Sequence, residues 1–145
     1  MRGCWAAMVC SAGLRELLFD GAFVEDSILS WIARNSSKPG RLAGEETWVL
    51  HGSPEWSDQH IDEPPDSVLP EMLDAFHKAT GVPVLPYTFA TCHRWRYALP
   101  PDPLADRCLF DSTQLLGACG DWCLGPRVEA AWLSGARLAE RILEH

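Results

Sequence analysis

The tract Pro100-Pro101-Asp102-Pro103 limits the fold more than any other feature of the chain. Each proline fixes φ and removes a backbone donor, so neither a helix nor an inner strand runs through the tract. The 145 residues are therefore expected to form two units, 1–103 and 104–145. At this length about 68–70% of the unfolded surface can be buried, enough for a real core.

In the first unit, the patterns predict strands over 4–10, 21–24, 30–35 and 47–51, and an extended segment over 84–98. Residues 52–66 are polar and proline-rich and read as loop. A helix is expected over 67–78. Val68, Leu69, Met72, Leu73 and Phe76 fall on one face, Asp66 or Ser67 is placed to cap it, Pro70 falls in its first turn, and Gly81 ends it. The apolar stretch Cys4 to Leu14 behind Arg2 resembles a leader only faintly and reads equally well as a buried strand. No run approaches the roughly 18 apolar residues of a membrane span.

In the second unit, 115–119 is a small-residue strand candidate, Gly120-Asp121 is a turn, and a helix is expected over 127–143. Val128, Ala131, Trp132, Gly135, Leu138, Ala139 and Ile142 form its apolar stripe, and Pro126 sits at its start. The fold class is α+β: an antiparallel sheet with one packed helix, followed by a C-terminal strand–turn–helix.

Twenty acids against twelve bases give a net charge of −8, which argues against a general nucleic-acid binder. The six cysteines contain no CxxC and no Cys/His spacing suited to zinc. Reduced thiols in a cytoplasmic protein are expected, with no metal. Cys119 and Cys123 read as small packing residues. His51 and His60 read as surface histidines without partners. Asn35-Ser36-Ser37 has the form of a glycosylation acceptor, which a cytoplasmic location makes irrelevant.

A strand, a Gly-Asp turn and an amphipathic helix together describe an anion or cofactor corner, because a helix start offers free N–H groups and a positive dipole end. The residues at this corner add more. Cys119-Gly120-Asp121-Trp122-Cys123, Arg127-Val128-Glu129 and Ala131-Trp132-Leu133-Ser134-Gly135 resemble the C-terminal flavin motif of FAD-dependent amine oxidoreductases. Within them, the stretches at Trp31–Pro39, Trp48–His51 and His93–Ala98 resemble the bacterial renalase group in order and spacing. The resemblance covers nearly the whole chain.

That resemblance implies FAD as cofactor and two domains: a partial substrate domain at 1–103 and the C-terminal segment of an FAD domain at 104–145. It implies oxidation of a reduced nicotinamide nucleotide, with oxygen as final acceptor, or of an amine by the same flavin. It places Gly120 and Asp121 near the ribityl and pyrophosphate, and Trp122, Arg127 and Val128 around the isoalloxazine edge. His93, Trp95 and Tyr97 match the substrate side. Arg34, with Lys38 and Arg41, is either a solvated face or a substrate-phosphate contact. His93 alone reads more readily as a structural histidine, and Trp132 as core. No side chain is singled out as catalytic.

The chain departs from the family at Ala130, where glycine is usual, and at Pro126, which lacks an N–H. It also contains no G-x-G-x-x-G run, so it is expected to be the C-terminal portion of such a protein, needing a Rossmann chain as partner.

Overall fold

The structure, a computed structural model, describes residues 1–145 apart from 42, 43, 45, 85 and 145, and describes 15 and 16 by backbone only. The fold is α+β. It divides into two compact units, residues 3–96 and residues 97–145 with 1–2.

The first unit is built on an antiparallel sheet of five strands: β1 (Arg2–Cys10), β2 (Gly21–Phe23), β3 (Leu29–Arg34), β4 (Thr47–Gly52) and β5 (Phe89–Leu99). Their spatial order is β2-β3-β4-β1-β5. The register sets Trp31 opposite His51, Arg34 opposite Trp48, and Val9 opposite Trp48. Two helices join the sheet, α1 (Pro54–Gln59) and α2 (Pro65–Thr80).

The core forms where α2 lies on the sheet. Val68, Met72 and Phe76, one face of α2, are fully buried with Trp5, Val9, Leu29, Ile32, Trp48 and Leu50. Leu69 and Leu73 pack at its edge, so the whole expected stripe of this helix meets the core. Phe76 and Trp48 stand 5.8 Å apart at the ring centroids, and Phe19 meets the edge of Trp48 at 5.4 Å. Gly81 ends α2 in the left-handed conformation, at φ 70°.

The structure corrects several boundaries. Residues 52–66 are not all loop, because α1 occupies Pro54–Gln59. Ser53 caps it by accepting the Trp56 N–H, and Pro54 fits its first turn. Helix α2 starts at Pro65 with Pro64 at the cap, so neither Asp66 nor Ser67 caps it and Pro70 lies inside it. The extended segment expected over 84–98 is a strand only from Phe89; Leu85 lies outside the described residues. A single 3-10 turn follows β1 at Ala12–Glu16.

The second unit is a small hairpin, β6 (Leu109–Asp111) and β7 (Leu116–Ala118), followed by a 3-10 turn at Asp121–Cys123 and by α3 (Val128–Leu143). Strand β6 has no counterpart among the expected strands. The hairpin turn forces Leu115 to φ 55°, so the strand expected from 115 starts at Leu116. Gly117 allows β7 to approach α3: a Cβ there would fall 2.7 Å from a methyl of Leu138.

The stripe expected to be buried on α3 is not. Only Ala130 and Ser134 are buried on this helix, while Val128 is 90% and Trp132 71% exposed. The short hairpin offers too little surface to cover sixteen helical residues. Trp132 is therefore a surface residue, and its assignment to the core is corrected.

Candidate functional site

The corner between β7 and α3 gathers Gly120, Asp121, Trp122, Arg127 and Val128 within one unit. The chain turns tightly here. Cys123 N–H donates to Gly120 O at 3.1 Å, and Gly125 N–H to Asp121 O at 2.6 Å. Asp121 accepts the Trp122 N–H at 3.0 Å through one carboxylate oxygen. Arg127 occupies the cap position of α3 without a side-chain capping bond. The first-turn N–H groups of α3 therefore point outward from an uncapped start, beside exposed Arg127 and Val128.

Ser134 holds the corner from behind. Its buried Oγ donates to Arg107 O at 2.5 Å and accepts the Gly120 N–H at 3.1 Å. In the sequence, Ser134 reads only as part of the motif. Its place nearly two turns inside an amphipathic helix, on the face toward the hairpin, is the signal that marks it.

Gly120 bears directly on whether this corner fits FAD. A Cβ at Gly120 would collide with the indole of Trp122, whose Nε1 and Cδ1 fold back over it. The glycine is occupied by the protein's own ring rather than left as open backbone. The uncapped α3 start and the guanidinium of Arg127 do suit an anionic or electron-rich edge, and Asp121 has a second oxygen for a hydroxyl. The donor set thus fits one edge of a flavin.

The residues expected on the substrate side lie in two places. His93 and Trp95 alternate along β5 with buried Cys92 and are exposed, with His93 meeting the edge of Trp95 at 4.6 Å; Tyr97, which belongs to the second unit, is exposed as well. No partner for His93 beyond that ring is found among the described residues. Arg34 lies elsewhere, on the core side of β3, with its guanidinium carbon 5.4 Å from the centre of the Trp48 ring. It faces Glu46 at 3.6 Å and Asp20 at 3.9 Å. Among the described residues, its Nε and one terminal nitrogen are buried without a hydrogen-bond acceptor, as is the Trp48 Nε1. Those two carboxylates, rather than a solvated face, surround it.

Other histidines and cysteines depart from their expected surroundings. His60 is held, not free: it stacks on Trp56 at 4.5 Å, and its Nδ1 lies 2.8 Å from Trp56 O. His51 is half-buried, and burial lowers its pKa below the ordinary value. Cys123 is fully buried, as a packing residue should be, but Cys119 is exposed.

A feature that sequence reasoning missed is a cleft of about 730 Å3 between the β2–β3 connection and α2. Phe19, Phe23 and Ile28 form apolar walls, and Glu25, Asp26 and Glu71 stand among its lining residues. The Glu25-Asp26 pair between two strands was its only trace in the sequence. Among the described residues, no cluster of three or more His, Cys, Asp or Glu side chains is placed to hold a metal, and no helix is long and apolar enough to cross a membrane. No protein-family model matches the sequence.

Proposed function

We propose that the chain is a renalase-like segment of an FAD-dependent oxidoreductase, acting on a reduced nicotinamide nucleotide. The observation that carries this reading is the corner at Gly120–Val128. The residues that resemble a flavin motif fold into a strand, a tight turn and an uncapped helix start. Arg127 and the first-turn N–H groups of α3 would hold the electron-rich edge of the ring, and Asp121 a hydroxyl. The chemistry FAD supplies when bound is acceptance of a hydride and reoxidation by oxygen. What this chain contributes is orientation and charge: a positive helix end and a guanidinium favour negative charge at that edge.

The test is to mix the purified chain with FAD, pass it over a sizing column and record the visible spectrum. Flavin that co-elutes with a shifted band, and is lost in Arg127→Ala and Asp121→Asn, supports the reading. Flavin that elutes free with an unchanged spectrum refutes it for this chain. With flavin bound, anaerobic bleaching by dihydronicotinamide isomers rather than by amines fixes the substrate class; the reverse pattern makes it an amine oxidase.

The exposed apolar side chains Val128, Trp132 and Leu116 favour a second reading, a complementing piece that works only when a separate Rossmann unit covers it. Copurification with a coexpressed neighbouring chain that carries G-x-G-x-x-G, with flavin retained only in the pair, supports that reading over the first.

A further inference from the structure

We propose that Cys108 and Cys119 form a cross-strand dithiol that peroxide converts to a disulfide. The register of the hairpin places them together. Leu109 pairs with Ala118, Phe110 with Gly117 and Asp111 with Leu116. Continued one residue past the last pair of the ladder, this register sets Cys108 opposite Cys119. One residue further out, Ser134 bridges the backbones of Arg107 and Gly120 through a single oxygen. The two cysteines thus lie between the last pair of the ladder and the serine bridge.

Opposed residues in an antiparallel ladder lie about 4.5–5.5 Å apart at Cα and project from the same face. A disulfide spans about 4.4–6.8 Å between Cα atoms, a range that includes the ladder spacing. Both thiols are free, with Cys119 exposed and Cys108 partly so. Cys108 lines a cleft of about 480 Å3 whose charged residues are Asp106, Arg107, Arg137, Glu140 and Arg141. The other four cysteines are buried.

The step balances with a peroxide as oxidant. The thiolate of Cys119 attacks a peroxide oxygen. The S–O bond forms, the O–O bond breaks, and hydroxide leaves to become water. The thiolate of Cys108 then attacks the sulfenic sulfur of Cys119. The S–S bond forms, the S–O bond breaks, and a second water leaves. Two thiols lose two electrons to one peroxide. Closure fixes the chain between Arg107 and Gly120 and stiffens the turn that carries Asp121 and Trp122. None of this depends on the flavin reading.

The test uses the full chain, reduced and then treated with hydrogen peroxide. The expected product has lost the mass of two hydrogens, has four of its six thiols open to alkylation after unfolding, and yields a Cys108–Cys119 linked peptide in a non-reducing digest. Dithiothreitol reverses the change. In Cys108→Ser, Cys119 stops at a sulfenic acid that dimedone traps. A link between Cys119 and Cys123, a dimer joined through Cys119, or sulfinic Cys119 beside an alkylatable Cys108 would each overturn the proposal.

Discussion

Replacing Ser134 by alanine removes one hydroxyl and two hydrogen bonds, those to Arg107 O at 2.5 Å and from Gly120 N–H at 3.1 Å. Each such bond contributes about 1 kcal/mol net, and water can reach the half-exposed Gly120, so the loss is about 2 kcal/mol rather than the larger cost of two sealed orphan groups. At about 1.36 kcal/mol per decade this is a factor of about 30. The measurement is amide hydrogen exchange by NMR. The amides of Gly120 and of the β6–β7 ladder should exchange about 30-fold faster in the variant. Those of β1 and β4, which belong to the other unit, should keep their rates. Ladder rates within about twofold of the parent would show that the serine does not clamp the hairpin to α3, where two bonds of about 1 kcal/mol are expected. An equal acceleration in β1 and β4 would mean that the substitution lowers stability throughout the chain and not at the hairpin.

Further outcomes follow from the first unit. Phe76→Ala empties a fully buried site against Trp48 and should cost about 3–5 kcal/mol, read as a lower urea midpoint at unchanged slope. Burial pushes the Cys4 thiol up to about 11, so Cys4 should resist iodoacetamide at pH 8 until the chain unfolds. Its raised value favours the folded state below its ordinary pKa, so stability should decline as pH rises from about 9 toward 11, measured by denaturant titration at each pH. The hydrogen bond from Arg96, and then its charge, hold the Asp62 carboxyl below the usual range. A depressed carboxyl favours folding above its ordinary value and loses that contribution as pH falls through the folded one. Arg96→Ala should return the Asp62 carbon resonance to an ordinary titration midpoint.

Legibility in the sequence followed how local the determining physics was. The α2 stripe at Val68, Met72 and Phe76 was readable because its spacing is a property of the helix itself. Helix α1 was obscured because Pro54 reads as a breaker when Ser53 is not recognised as a cap. Strand β6 is three residues long and exists only by pairing with β7. The α3 stripe had the right period, but periodicity does not supply the surface that a stripe packs against, and Trp132 remains in solvent. At the candidate site, Asp121, Trp122 and Arg127 came together because they are neighbours in sequence. Arg34 could not be placed with His93 and Trp95, because strand alternation and sheet order assign it to the side of β3 where Trp48 packs.

The sheet order also has a kinetic side. Strand β1 is synthesised first yet lies between β4 and β5, with Ala6 paired to His51 and the Cys10 carbonyl accepting from Thr88. The meander β2-β3-β4 can zip locally, but a nascent β1 must wait for both neighbours with its two edges bare. The Trp5–Cys10 stretch is thus open to misassociation during synthesis, and its capture between two strands that emerge long after it is expected to be slow.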